Sequence, residues 1–192
     1  DSFFYIGAIS GTSIDGLDLA MLDVVQTTPS IIDTKTEALP RDLGNILREL
    51  AAPGWNEVER MGRADAALGT FIGNAVRSFA QNRPIVAVGS HGQTIRHGPN
   101  ANPSYTVQIG DPNKIAEISG FDTIADFRRR DMAVGGQGAP LVPLFHDALF
   151  RHRIHHRAII NIGGISNVTF LGPTDLSGFD TGPGNALIDA WI

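Results

Sequence analysis

The chain contains no cysteine, only two tryptophans and two tyrosines, and no stretch of basic charge large enough to tip its balance; the formal net charge is −5 over 192 residues. Without cysteine there is no disulfide framework and no thiolate metal site. That agrees with a reducing, cytoplasmic setting. The negative balance removes the electrostatic footprint of a nucleic-acid binder. It leaves phosphate binding open, because backbone amides can hold an anion without a cationic surface. No apolar run approaches the roughly 20 residues of a membrane span. The opening residues DSFFYIGAIS carry no basic n-region and no long apolar h-region, so they read as a strand rather than a signal peptide. The GxxxxGK[ST] phosphate loop is also missing.

What is present describes a packed α/β protein. Apolar residues make up 42% of the chain and charged residues 18%, the composition of a folded core. The length fits one large domain or two small ones. Strands are expected at 3–9, 17–25 and 30–38, with a polar glycine loop at 10–16. A short helix is expected at 41–50. A long one is expected at 56–80, where Val58, Met61, Ala64, Leu68, Ile72 and Val76 fall near one face. A buried strand, IVAVGS, follows Pro84 and ends in a glycine–histidine turn, HGQTIRHGP. Then come the strand YTVQIG, a helix from Pro112 and a strand in FDTIAD. Three strands followed by helix–strand units make an α/β layer with a mixed sheet.

Residues 127–140, FRRRDMAVGGQGAP, break this pattern and mark a boundary. The expected division is 1–127 as a first lobe, 128–155 as a connecting loop and helix (the helix at 141–152), and 156–192 as the start of a second lobe. Strands are expected there at 157–163, 167–171 and 177–180. The final NALIDAWI reads as a helix cut off early, as in a piece of a longer chain. IGGIS at 162–166 repeats four of the five letters of IGAIS at 6–10. The expectation is that the same strand–glycine–strand element occurs twice.

Several stretches are suited to chemistry. In SGTSIDG, small residues allow close backbone approach, hydroxyls can donate, successive amides can nest an anion, and Asp15 can take a divalent cation directly or through water. An ordinary hairpin turn would use the same residue types. Asp180, at the carboxyl end of a strand, is placed where ligands collect in α/β sheets and can act as a general base; it can equally cap the turn that follows. His91, Gln93 and Thr94 are suited to sugar hydroxyls. His91 and His97 match no standard zinc spacing. One of Arg128, Arg129 and Arg130 can pair with a carboxylate or phosphate, while the rest read as a solvated face. HRIHHR reads as a basic helix end. GPG at 182–184 is only a partial dinucleotide fingerprint, so a dehydrogenase is a weak reading that NAD binding would test.

Taken in order, GTSIDGLD (11–18), SHGQT (90–94), IGDP (109–112), ADFRRRDMAVGGQGAPLVP (125–143), NIGGISN (161–167) and GFDTGPGN (178–185) resemble the anhydro-N-acetylmuramic acid kinase family. The resemblance covers nearly the whole chain. Ile14 stands where the family usually has Met. The family is part of the sugar kinase and actin superfamily, which implies ribonuclease H-like lobes with ATP held in the cleft between them. It implies ATP and Mg2+ as cofactors. Gly11, Thr12, Ser13, Asp15 and Gly16 would form one phosphate loop and Gly163, Gly164 and Asn167 another. Asp15 would be near the metal. His91, Gln93, Thr94, Arg128 and Asp131 would contact the sugar, and Asp180 would be the base that activates water. It implies a cytoplasmic role in peptidoglycan recycling, with no nucleic-acid or membrane partner. The family chain is roughly twice as long, so a homodimer or a separate C-terminal half is an expected partner. Against this stand two other readings. One is a catalytically incomplete binding module. The other is a different sugar, carboxylate or polyphosphate enzyme of the superfamily.

Overall fold

The protein is described from a computed structural model covering residues 3–24, 29–189 and 191. It divides into two compact units, Asp1–Phe127 and Arg128–Ile192.

In the first unit, β1 (Phe4–Ser10), β2 (Gly16–Asp23) and β3 (Ser30–Ala38) run as an antiparallel meander. The expected end of β2 at residue 25 lies outside the described residues. Helices α1 (Arg41–Leu50) and α2 (Glu57–Ala80) follow, then β4 (Ile85–Gly98), β5 (Tyr105–Ile109), α3 (Pro112–Ser119) and a two-residue β6 (Thr123–Ile124). The sheet order is β3-β2-β1-β4-β5, with β6 paired to β4. β4 runs parallel to β1 and antiparallel to β5, so the sheet is mixed. The two-residue alternation of β1 and β2 turns Ile6, Ala8, Leu17, Leu19 and Met21 to one face. That face is buried with Leu68, Ile72 and Val76 of α2 and Leu47 and Leu50 of α1. Each of these side chains larger than alanine contributes about 1.5–3 kcal/mol on full burial. Helix α3 begins on Asp111, whose carboxylate accepts the Asn113 amide at 2.9 Å, and has Pro112 in its first turn.

The HGQTIRHG stretch is not the turn its composition suggests. It is the second half of β4. The backbone there pairs with β1 as far as Gln93 and with β5 from Gln93 to Gly98, so its polar groups are satisfied within the sheet. Gly92 makes this possible. Its φ is +70°, and a Cβ added there would lie 2.1 Å from the Ile109 carbonyl oxygen.

In the second unit, α4 starts at the boundary (Phe127–Ala133), so the charged part of the expected break is helical. Then come α5 (Pro143–Phe150), β7 (Arg157–Ile162), β8 (Ile165–Leu171), β9 (Leu176–Pro183) and α6 (Ala186–Asp189). The rest of the expected final helix includes residues 190 and 192, which lie outside the described residues. The three strands form one antiparallel sheet in chain order. Helix α5 packs on the face that carries Thr169 and Gly178; His146 is buried there with its Nδ1 2.9 Å from Thr169 Oγ1. The opposite face presents Ile160 and Phe179, 68% and 48% exposed.

The hairpin element does occur in both units, but the matched letters do not superpose. IGAIS lies wholly inside β1, and its hairpin loop comes afterwards at 11–15. IGGIS spans the end of β7, the two-residue turn Gly163–Gly164 and the start of β8. The four-letter match is therefore not the signal of the repeat. The strand pairing is.

Candidate active site

The first unit places a hydroxyl-rich loop at the end of β1. Thr12, Ser13 and Asp15 are exposed, while Ile14 between them is buried. Ile14 takes φ +53°, unfavourable for a β-branched residue. Its amide donates to the Gly11 carbonyl at 3.1 Å, and its own carbonyl accepts from Arg48 Nη2 at 3.1 Å. The apolar side chain thus anchors the loop, and its polar neighbours are turned outward. Ser13 Oγ donates to Asp15 Oδ1 at 2.8 Å. Gly16 already belongs to β2 and is buried, with a Cβ position 3.0 Å from Thr36. The anchoring role of Ile14 was not visible in its apolar character alone.

The three residues from SHGQT have different surroundings. His91 is the extra residue of a β-bulge between Ala8 and Ile9 of the partner strand. Its Nδ1 lies 2.9 Å from the Gly92 carbonyl oxygen. It lines an open depression of about 660 Å³ on the sheet face away from α2, together with Gly7, Ile9, Asp18, Gly89 and Phe127. Gln93 is 1% exposed, and its Oε1 accepts from Ser10 Oγ at 2.6 Å. That bond ties β1 to β4. Thr94 Oγ1 accepts from Gln108 Nε2 at 3.1 Å. Ser90 was not singled out from sequence, yet its hydroxyl is buried without a hydrogen-bond partner. Only its place at the centre of β4 reveals this.

In the second unit, Asp180 is exposed on β9 and stands opposite Asn167 of β8. The register slips between Ser166 and Asn167, which leaves Thr181 as an extra residue. Its hydroxyl donates to the Ser166 carbonyl at 3.1 Å. Such a bulge re-aims the side chains beside it. Asn167 Oδ1 is buried without a partner. The carbonyls of Gly163 and Gly164 accept from the amides of Asn185 (2.7 Å) and Gly184 (2.9 Å), so the turn is locked against the start of α6. Arg128 donates from Nη1 to the Gly138 carbonyl at 2.7 Å. Burial pushes its guanidinium pKa down from the ordinary arginine value, and the Asp180 carboxylate opposes that shift. Asp131 Oδ2 accepts the Gly138 amide at 2.8 Å.

Asp15 is the candidate carboxylate for magnesium. Among the described residues there is no cluster of three or more histidine or acidic side chains that could hold a metal. Magnesium commonly keeps several waters and binds through one or two carboxylates plus substrate phosphates. A single exposed carboxylate beside a hydroxyl loop fits that mode. No helix among the described residues is long and apolar enough to cross a membrane.

A family model described as anhydro-N-acetylmuramic acid kinase matches residues 3–192. A protein of that name from Shewanella halifaxensis is 50% identical over 196 residues, covering 98% of this chain and 53% of its own length. Another from Shewanella loihica is 51% identical over 197 residues, with the same coverage. The chain therefore spans about half the length of the curated relatives it matches. The crystal structure of the Aquifex aeolicus member of the Ppx/GppA protein family aligns with a TM-score of 0.51 at 10% identity, covering 99% of this chain and 54% of that one. The likeness shows a ribonuclease H-like, actin-like fold.

Proposed function

The chain belongs to the anhydro-N-acetylmuramic acid kinase family, and from that premise we propose that it carries residues of an ATP-dependent kinase that opens 1,6-anhydro-N-acetylmuramic acid with water and phosphorylates its O6. The observation that supports this best is the family match over residues 3–192, which takes in both the hydroxyl loop and Asp180.

The reaction balances as follows. The oxygen of water bonds to the anomeric carbon while the bond from that carbon to O6 breaks. O6 takes the γ-phosphoryl group of ATP, and ADP leaves. The products are N-acetylmuramic acid 6-phosphate and ADP. The water must lose a proton, and Asp180, an exposed carboxylate on β9, is suited to take it. A positioned base contributes about 10²–10⁴-fold. Phosphoryl transfer itself asks mostly for positioning and charge stabilisation. The outward hydroxyls of Thr12 and Ser13 and the backbone of Gly11 and Gly16 serve that end on the phosphates. The Gly163–Gly164 turn with Asn167 is the corresponding element of the second unit. Magnesium bound with ATP would draw charge off the phosphate oxygens, with Asp15 its protein ligand, directly or through water. His91, Thr94, Arg128 and Gln93 are the sugar-side residues; Gln93 acts from within the sheet, where it is buried. Such a reaction places the protein in the cytoplasm, in the recycling of peptidoglycan sugars.

The test is sugar-dependent ADP release by the full-length chain, with the product identified by mass. Asp180→Asn should retain ATP binding and lose turnover by about 10²–10⁴-fold. Near-normal turnover would remove Asp180 from the role. A second reading has one observation in its favour: the 192 residues match about half of each relative. On that reading they bind nucleotide or a partner, a second copy or the remaining half, without turning over alone. ATP titration by calorimetry, with and without the second half, separates the two.

A further inference from the structure

Helix α4 and the glycine-rich loop after it form a closed device within the second unit. Arg128 and Asp131 are three residues apart on α4, so they share a helix face. Both reach the same residue across the loop. Asp131 Oδ2 takes the Gly138 amide at 2.8 Å, and Arg128 Nη1 donates to the Gly138 carbonyl at 2.7 Å. Gly138 is therefore clamped on both sides of its Cα. The loop is built for this. The backbone carbonyl of Asp131 accepts from the amides of Val134 and Gly136, at 3.2 and 3.0 Å. A Cβ on Gly136 would lie 2.1 Å from Asp131 Oδ2. Glycine at that position is what leaves the carboxylate room to reach Gly138.

We propose that Asp131 is a positioning residue for the reaction and not a sugar ligand: by holding the Gly138 amide it fixes the carbonyl on which the Arg128 guanidinium rests, and so orients that arginine for the sugar. This rests on the reading of Arg128 as a sugar-side residue. A carboxylate already committed to a backbone amide has less to offer a sugar hydroxyl. A guanidinium fixed at one nitrogen is oriented before any ligand arrives, which lowers the entropic demand of assembling the site.

The test compares Asp131→Asn, Asp131→Ala and Gly136→Ala in the full-length chain, with amide hydrogen exchange at Gly138 as a readout independent of turnover. Asparagine keeps an oxygen that can accept the Gly138 amide, so Asp131→Asn should stay close to the parent in both exchange and kcat/KM for the sugar. Asp131→Ala should lose protection at Gly138 and fall in kcat/KM for the sugar by about 10²-fold, the scale of a misplaced catalytic arrangement. Gly136→Ala should reproduce that pattern by crowding the carboxylate, and it decides the matter should Asp131→Ala not fold. An equal loss of kcat/KM for the sugar in Asp131→Asn and Asp131→Ala, with protection at Gly138 retained, would overturn the proposal in favour of a sugar contact. Protection at Gly138 that survives Asp131→Ala would overturn it as well. Arg128→Ala is the separating control. If it turns over the sugar normally, the reading of Arg128 fails; if it is impaired while the Asp131 and Gly136 variants are normal, the positioning role alone fails.

Discussion

The first unit and the second each contain an antiparallel hairpin, β1–β2 and β7–β8, but they bury those hairpins differently. In the first, Ile6, Leu17, Leu19 and Met21 disappear beneath α1 and α2. In the second, α5 covers one face, where Thr169 and Leu171 are buried, and Ile160, Ile162, Phe170 and Phe179 remain open on or near the other. The difference shows that hairpin pairing needs only the backbone and a compatible turn, whereas a core needs a second layer. The 24-residue α2, with α1, supplies that layer on one face of the first sheet; the eight-residue α5 supplies a smaller one on one face of the second.

The contrast can be tested by substitution. Ile72 is fully buried on α2. Ile72→Ala should lower the stability of the first unit by about 2–5 kcal/mol through lost burial and the cavity left behind. Urea unfolding followed by amide exchange should show the first unit opening earlier while protection in β7–β9 is unchanged. A uniform loss across both would mean that the units do not fold separately. Gln93→Ala should cost about 1–3 kcal/mol, because the Ser10 hydroxyl is left buried without its acceptor. The same denaturation experiment reads it, and a neutral result would remove the β1–β4 tie from the account of the fold.

Asp111→Ala should cost about 1 kcal/mol by removing the cap of α3. Slight burial raises the Asp111 pKa, but hydrogen bonds from Asn113 outweigh it and hold the carboxyl below its ordinary value. Its contribution is therefore present above about pH 4 and lost as pH falls through the lowered value. Asp111→Asn should flatten that part of the stability–pH curve. The smallest effect belongs to the open face of the second unit. Phe179→Ser should change stability by no more than about 0.5 kcal/mol, as exposed substitutions do, while reducing self-association measured by sedimentation. A large loss of stability would show that the face is covered in solution.

Much of the fold is readable along the chain because it depends on local periodicity. The apolar spacing of α2, the alternation of β1 and β2, and the Asp111-Pro112 start of α3 are each written within a few residues. The hydroxyl loop was legible as well, from residue types and from its position after β1. Asp180, expected at the carboxyl end of a strand, instead lies within β9, which runs on to Pro183. β4 was harder. Its glycines and histidines look like a turn, and they stay extended only because β1 and β5 flank them. The near-match of IGAIS and IGGIS pointed to two hairpins but not to their register, because letters carry none.

The amino-acid sequence by itself determined the elements, the family and the groups available for chemistry, since propensity, periodicity and motif spacing are properties of neighbouring residues. Only the tertiary structure decided what those groups do. It turned Gln93 inward onto Ser10, hid Ile14 beneath its loop, and set Arg128 and Asp131 on the two sides of Gly138. These outcomes depend on which backbone or side-chain partner comes within hydrogen-bond distance, and that is fixed by the packing of distant segments rather than by the order of residues along any one of them.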